Sequence, residues 1–153
     1  MVLIGVDIDE VLFPFAGVIA KWHERAYKSL PSLDDLTHYD YEQDWGWSRE
    51  KALEGYLATQ PSPLINIPIE GALPQLMHLH TTGIRSMVLT YRPVTPPDDL
   101  RAGTHSQLTF WFREIFEKTV FCCDYPEDQR DKSKVGKEHK IDQYFLAYLL
   151  VFC

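Results

Sequence analysis

The sequence has little positive charge. Its 15 lysine and arginine residues stand against 22 aspartate and glutamate residues, which gives a formal net charge of −7 at pH 7. No run of basic residues breaks this balance. A long polyanion such as duplex nucleic acid would be repelled on average, whereas a small anionic molecule needs only a local positive site.

The chain is also poor in cysteine and lacks long apolar runs. Its three cysteines, Cys122, Cys123 and Cys153, show no CxxC spacing, which argues against a zinc site or a disulfide framework and predicts buried thiols in a reducing compartment. No segment approaches the ~18 apolar residues of a membrane span, and the start lacks the basic region of a signal peptide. We therefore expect a cytoplasmic protein without membrane contact.

The most informative segment that is present is the apolar run 2–12, which carries Asp7 and Asp9 at its end. Such a run is typical of a strand buried in a parallel sheet, and ligand sites lie at the carboxyl ends of these strands. Burying two carboxylates is costly unless a cation, a donor or a substrate compensates them. The pair indicates a metal site or a nucleophile, or, alternatively, a cap for the following helix.

Apolar spacing and stop signals predict alternating elements over the rest of the 153 residues. A capping box at Thr104 is expected to begin one helix, and Leu73, Leu76, Met77 and His80 to share a face of another. The predicted helices cover 15–30, 48–59, 70–80, 104–115 and 132–140, and the later strands cover 84–89, 119–123 and 144–151. This order predicts an α/β fold, a Rossmann-like parallel sheet with a central first strand and helices on both faces. Residues 1–13 and 69–153 would form the core, and residues 14–68 a small helical cap.

Three segments carry a resemblance to a known family. Asp7-Ile8-Asp9-Glu10-Val11-Leu12, Val88-Leu89-Thr90-Tyr91-Arg92-Pro93 and Asp131-Lys132 resemble the first three motifs of the haloacid dehalogenase-like phosphatases. The form of these motifs, with an insertion after the first one, is similar to the 5'(3')-deoxyribonucleotidase branch. Glu10 is a departure, because the superfamily most often has glycine there.

The resemblance implies phosphoryl transfer through an aspartyl-phosphate intermediate. Asp7 would be the nucleophile, and Asp9 would act first as general acid and then as general base. Thr90 would bind a phosphoryl oxygen, and Lys132 would offset the accumulating charge, with Lys134 as a second candidate for that role. Arg92 could hold the substrate phosphate or its sugar.

Substrate choice is expected to reside in the cap. Tyr41, Trp45 and Trp47 cluster there and could stack on a nucleobase or simply form a small core. The predicted substrate-binding residues are Phe13, next to the nucleophile, Tyr91 and Arg92, after the second strand, and Trp45. The predicted substrate is a small phosphorylated molecule such as a nucleoside monophosphate.

The fourth motif of the family is missing. Relatives end their fourth strand with an acidic pair, whereas Tyr144-Phe145-Leu146-Ala147-Tyr148 has no carboxylate. The resemblance implies Mg2+ as cofactor, held by Asp7 and by the backbone carbonyl of Asp9. Asp124, at the same edge of the sheet, could substitute for the missing pair. The apolar ending 149–153 suggests an altered or truncated tail that a second copy of the chain could cover.

Two functions of different class follow from these observations. The first is a Mg2+-dependent phosphomonoester hydrolase, favoured by Asp7, Asp9, Thr90 and Lys132 together. The second is a catalytically weakened or inactive relative that serves as a binding or regulatory protein, favoured by the missing acidic pair. The acidic balance of the chain disfavours a third possibility, a polynucleotide 3'-end phosphatase.

Overall fold

The computed structural model describes residues 2–36, 41–59, 66–92, 100–125 and 131–145. Four strands, β1 (Leu3–Val6), β2 (Arg85–Thr90), β3 (Phe116–Phe121) and β4 (Gln143–Phe145), form one all-parallel sheet in the order β3-β2-β1-β4. The predicted α/β class and the inner position of the first strand are confirmed.

Six helices accompany these strands in the described residues. They are α1 (Phe15–Tyr27), α2 (Tyr41–Asp44), α3 (Arg49–Ala58), α4 (Ala72–Thr81), α5 (Leu100–Phe112) and α6 (Lys132–Glu138), and two short 3-10 turns cover Leu33–Asp35 and Cys122–Asp124. The side chain of Ser48 accepts a hydrogen bond from Lys51 N–H and so begins α3. Lys28, in a left-handed conformation, ends α1 by donating its N–H to Glu24 O.

Successive side chains of a strand point to opposite faces of the sheet. Here apolar side chains point to both faces, so both faces are covered. On one face Val6 and Val88 pack with Leu76 of α4 and Phe112 of α5. On the other face Met87 and Leu89 pack with Val135 of α6. Cys122 belongs to this second cluster, and burial raises the pKa of its thiol to about 11.

Several predicted boundaries and faces are wrong. Helix α5 begins at Leu100, four residues before the expected capping box, and Thr104 lies inside the helix with its hydroxyl donating to Leu100 O. Strand β3 begins at Phe116 and ends at Phe121, earlier than predicted at both ends.

On α4, Met77 and His80 are exposed, and Leu79 packs against the core instead. The predicted fourth strand over 144–151 begins at Gln143, and its part beyond residue 145 lies outside the described residues.

The insertion between β1 and α4 has its own small core. Phe15 and Ile19 of α1 pack with Trp47, and Tyr56 of α3, which is partly buried, packs against them. The segments that enter and leave the insertion adjoin, since Leu12 O accepts a hydrogen bond from Ile69 N–H. The exact domain limits, 14–68 for the cap, stay a prediction.

Within the described part of the chain, no helix combines the length and the apolar character needed to cross a bilayer. The cytoplasmic location stays a prediction.

Candidate active site

Parallel pairing brings the ends of the four strands to one edge of the sheet. Val6 pairs with Val88 and with Phe145, and Thr90 pairs with Phe121. Asp7 follows β1 directly, and Thr90 ends β2. The carboxyl edge therefore brings Asp7 and Thr90 to neighbouring strand ends.

Asp7 and Lys132 form an ion pair at this edge. The Lys132 ammonium donates to one carboxylate oxygen of Asp7, and Ile8 N–H donates to the other at 2.8 Å. The Asp7 side chain is only 13% exposed. Burial raises the pKa of Asp7 above its ordinary value, although Lys132 acts against this effect.

Local sequence explains how Lys132 reaches Asp7. The Asp131 carboxylate accepts the N–H groups of Ser133 and Lys134 and so caps α6. Lys132 is then the first residue of the helix, where the helix dipole disfavours a cation. The opposite charge of Asp7 compensates for that position.

Thr90 is the last residue of β2 and is completely buried. Its hydroxyl has no hydrogen-bond partner among the described residues. A buried hydroxyl without a partner is destabilising, by about 1–3 kcal/mol. An orphaned donor at the sheet edge that carries Asp7 is a position where an oxygen of a ligand would be stabilised.

Asp9 and Arg92 form a second ion pair. Arg92 Nη1 donates to Asp9 Oδ2 at 2.7 Å, and Nη2 donates to Oδ1 at 2.6 Å. The Arg92 side chain is 3% exposed and that of Asp9 is 28% exposed. Burial acts to lower the pKa of Arg92, but Asp9 outweighs it and the pKa is raised. The guanidinium is thus a buried permanent cation.

The turn after Asp9 is tight. The N–H groups of Leu12 and Phe13 both donate to Ile8 O, and Glu10 adopts a left-handed conformation with φ of 58°. A non-glycine residue in this conformation carries strain of about 1–2 kcal/mol. The Glu10 carboxylate accepts the N–H of Ala16 at 2.5 Å and so caps α1.

A cavity of about 600 Å3 lies between the sheet edge and the insertion. Asp9, Tyr91 and Arg92 line it from the core, and aromatic and charged side chains line it from the insertion: Phe15, Tyr41, Glu42, Arg49, Ala52, Leu53 and Tyr56. This volume is in the range of small-molecule sites.

Tyr56 of α3 also lines this cavity, a position that the sequence did not predict. Its ring centre lies 5.9 Å from the Arg92 guanidinium carbon, and burial raises the pKa of its phenol to about 12. Helical spacing places Tyr56 on an apolar face of α3 but does not tell which part of the molecule that face meets.

Two predicted substrate-binding residues lie elsewhere. Phe13 is 2% exposed and packs edge-on against Phe112, with ring centres 5.8 Å apart. The tight turn after Asp9 directs it into the core, and Phe15 lines the cavity instead.

Trp45 donates its indole N–H to Ser32 O at 2.8 Å. Its ring stacks on Tyr41 and lines a second cavity, of about 570 Å3, within the insertion. Tyr41, and not Trp45, contributes to the cavity next to Asp9.

The predicted metal ligands do not form a complete set. Asp124 binds Arg101, Oδ1 to Nη2 at 2.7 Å, and both Asp9 oxygens bind Arg92. Among the described residues, no three His, Cys, Asp or Glu side chains are grouped so as to hold a metal ion. Mg2+ is usually held by one or two carboxylates. Here the two Asp7 oxygens accept from Lys132 and from Ile8 N–H, so all three predicted ligand side chains are already paired, and the described side chains do not fit a Mg2+ site. Residues 146–148, where the fourth motif was expected, lie outside the described part.

Arg101 is a further residue that sequence analysis missed. Besides Asp124, its Nε and Nη2 both donate to Arg92 O at 3.2 Å, and the guanidinium lies 4.5 Å from the ring centre of Phe121. It therefore ties the ends of β2 and β3 together. An arginine in the first turn of a helix gives no sequence signal for this contact.

The fold is similar to solved structures of hydrolases. A protein described as a haloacid dehalogenase-like hydrolase from Bacteroides fragilis matches with a TM-score of 0.58 at 17% identity, over 93% of this chain and 76% of that one. A protein described as a phosphatase from Clostridium difficile matches with a TM-score of 0.52 at 15% identity, over 92% and 82%.

A third similar structure is a HAD family hydrolase from Deinococcus radiodurans R1, solved with bound phosphate and sodium. Its TM-score is 0.50 at 18% identity, over 78% of this chain and 57% of that one. No protein-family model and no curated protein sequence matches the chain. At these identities, the comparisons show that the chain has the fold of haloacid dehalogenase-like hydrolases.

Proposed function

We propose that this chain, which has the fold of haloacid dehalogenase-like hydrolases, hydrolyses small phosphomonoesters through an aspartyl-phosphate intermediate. The observation that carries the proposal is the Asp7–Lys132 ion pair at the sheet edge that also presents the orphaned hydroxyl of Thr90. A nucleophile, a cation and an unsatisfied donor at one edge suit phosphoryl transfer, which depends on positioning and charge compensation.

The proposed reaction has two steps. A carboxylate oxygen of Asp7 attacks phosphorus, the ester P–O bond breaks, and Asp9 gives a proton to the departing alkoxide. Asp9 then takes a proton from water, whose oxygen attacks phosphorus and releases Asp7 and phosphate. Thr90 donates a hydrogen bond to a phosphoryl oxygen, and Lys132 offsets the negative charge in both steps.

The proposed substrate is a nucleoside monophosphate, as expected for the 5'(3')-deoxyribonucleotidase branch. Four aromatic residues that line the cavity next to Asp9, Phe15, Tyr41, Tyr56 and Tyr91, support a planar group beyond the phosphate. The bound phosphate of the Deinococcus radiodurans hydrolase supports a phosphorylated ligand. Tyr91 and Arg92 keep their proposed role as substrate-binding residues.

Mg2+ remains the cofactor implied by the resemblance, and no step above is assigned to it because the described donors do not fit it. The second candidate function, a catalytically weakened binding or regulatory protein, is favoured by this misfit and by the engagement of both Asp9 oxygens. A homo-oligomer through the apolar residues 149–153 is also proposed, and this segment lies outside the described residues.

The deciding experiment measures phosphate release from a nucleoside 5'-monophosphate, with and without added Mg2+, by the native protein and by Asp7→Asn. We expect Asp7→Asn to lower turnover by about a thousandfold or more, because an amide cannot attack phosphorus. Asp35→Asn, which neutralises an exposed carboxylate of the insertion, is the matched control and should keep full activity. Substantial turnover by folded Asp7→Asn would exclude the covalent mechanism. Phosphate binding without turnover at any Mg2+ concentration would favour the binding protein.

A further inference from the structure

The Asp9–Arg92 ion pair conflicts with the acid role of Asp9. A general acid carries a proton on an oxygen that faces the leaving group. Here each Asp9 oxygen accepts an N–H bond from Arg92, at 2.7 Å and 2.6 Å, so both oxygens are directed to the guanidinium. The structure therefore describes a state in which Asp9 is not arranged to donate a proton.

Arg92 cannot leave Asp9 without another anion. Its side chain is nearly inaccessible to water, and a buried cation without a partner is strongly destabilising. Its Nε–H has no hydrogen-bond partner among the described residues. Arg92 lines the same cavity as Asp9, where a ligand would reach both groups. A phosphoryl group has several anionic oxygens and matches the planar donor geometry of a guanidinium.

Neighbouring residues fix where Arg92 can move. The two bonds from Arg101 to Arg92 O hold the backbone at the base of the side chain. The ring of Tyr56 lies over the guanidinium from the insertion. Because the Arg92 backbone is fixed and Tyr56 covers one face of the guanidinium, the side chain can make a short rotation within the cavity.

We propose that Arg92 exchanges partners when an anionic phosphoryl group enters the cavity. The guanidinium transfers N–H bonds from Asp9 to the phosphoryl oxygens, and the released Asp9 carboxylate turns to the leaving group. No covalent bond changes in this exchange. The ligand-free protein is thus held inactive by its own ion pair, and the substrate phosphate releases it. The inference rests on the proposed function, because it assumes that the same site binds phosphate.

A double-mutant cycle on phosphate affinity tests the exchange without using turnover. The dissociation constant of inorganic phosphate is measured by calorimetry for the native protein, Asp9→Asn, Arg92→Gln and the double variant. If Asp9 competes with phosphate for Arg92, Asp9→Asn should tighten binding about tenfold, and the gain should fall below about twofold with Arg92→Gln. The Arg92→Gln background is the matched control for charge repulsion, since the loss of the Asp9 charge is the same in both backgrounds.

The other outcomes separate this inference from the proposed function. An equal gain in both backgrounds would mean that Asp9 acts on phosphate by charge alone, and weaker binding by Asp9→Asn would mean that Asp9 is itself a phosphate ligand. Either result overturns the exchange and leaves a phosphate site in place. No phosphate binding by any of the four proteins would overturn both the exchange and the proposed function.

A second measurement covers the case in which Arg92→Gln does not fold. The Arg92 side-chain N–H signals are followed by nitrogen-15 NMR in the native protein as phosphate is added. The exchange predicts that the Nη signals shift and that those of Arg101 stay in place. Saturating phosphate that leaves the Arg92 signals unchanged would contradict it.

Discussion

At the scale of single residues, some polar groups at the carboxyl edge of the sheet have a partner and others have none. Asp7 and Asp9 each have a cation, whereas Thr90 Oγ1 and Arg92 Nε have no partner among the described residues. A fold optimised for stability alone would not leave such donors unsatisfied. Thr90 Oγ1 and Arg92 Nε are therefore candidate donors to a ligand at this edge.

Thr90→Val tests this role of Thr90. Valine has nearly the same shape and removes an unpaired buried hydroxyl, so the free energy of unfolding should stay unchanged or rise by about 1 kcal/mol while phosphate affinity falls at least about fivefold. Ser86→Ala on the same strand is the control. Its buried hydroxyl donates to Ile115 O at 3.1 Å, so its loss should lower stability by about 1 kcal/mol and spare phosphate binding. Urea unfolding and calorimetry measure both effects, and a clear destabilisation by Thr90→Val would show that its hydroxyl has an internal partner.

The raised pKa of Asp7 predicts a pH dependence of stability. Because burial raises this pKa above the ordinary 3.8, the folded state binds the proton more tightly than the unfolded state. The contribution of Asp7 to the free energy of unfolding is then fully present below pH ~4 and is lost as the pH rises through the raised pKa. Asparagine does not titrate, so the stability of Asp7→Asn relative to the native protein should increase between pH 4 and pH 7.

Urea unfolding at intervals of half a pH unit measures this difference. Glu10, whose pKa burial also raises, titrates in both proteins and cancels from the comparison. A difference that decreases with rising pH would mean that Lys132 outweighs burial at Asp7.

Motif residues could be placed from the sequence because strand ends fix them. Asp7 follows the buried strand β1 and Thr90 ends the buried strand β2, and parallel pairing brings such positions to one edge. Phe13 and Trp45 could not be placed in the same way, since a turn and an indole hydrogen bond decide their directions. Neither contact leaves a periodic signal in the sequence.

At the scale of elements, the apolar runs indicated every strand of the described sheet, although β3 begins at Phe116, before its predicted start at residue 119. Of the predicted helix starts, that of α5 is the one that lies far from its predicted place. The Thr-x-x-Gln pattern at Thr104 matches a capping box, yet Leu100 and the three residues after it extend the helix in front of it. A local pattern of this kind is overridden when the preceding residues gain burial, as Leu100 does.

The contact between α1 and α3 gives the element-scale prediction. A Cβ at Gly55 would lie 2.7 Å from Cζ3 of Trp22 and 3.1 Å from Cγ1 of Ile19. Gly55→Ala should therefore lower the free energy of unfolding by about 1–2 kcal/mol, because crowding outweighs the helix propensity of alanine. At Gly17 of α1 an added Cβ meets nothing within 4 Å, so Gly17→Ala should stabilise the protein by about 0.5–1 kcal/mol. Urea unfolding measures both, and a stabilising Gly55→Ala would show that the two helices are less closely packed.

At the scale of the whole molecule, a protein with a net negative charge has cations at the sheet edge and in the cavity next to it. Lys132 is paired with Asp7 at the sheet edge, and Arg92, paired with Asp9, lines the cavity together with Arg49 of the insertion. Local cations can hold a small anion even though the net charge of −7 disfavours a long polyanion. The size of the cavity then decides how much of the ligand beyond its phosphate is bound.

The aromatic lining of this cavity leads to a prediction about substrate preference. Tyr41 lines the cavity and stacks on Trp45, with ring centres 4.8 Å apart and planes at 11°. Tyr41→Leu keeps an apolar side chain and removes the aromatic face. Since stacking of a base on an aromatic ring is worth about 1–3 kcal/mol, kcat/KM for a nucleoside 5'-monophosphate should fall about tenfold. For glycerol phosphate, which has no base, it should change less than about twofold.

The ratio of the two substrates separates stacking from general damage to the insertion, because damage would lower both rates together. Phe110→Leu, at an exposed aromatic residue of α5 outside the cavity lining, is the control and should leave the ratio unchanged. An equal loss for both substrates in Tyr41→Leu would mean that Tyr41 supports the insertion without touching a base. An unchanged rate for both would place the base outside this cavity, and the aromatic residues would then serve only the small core of the insertion.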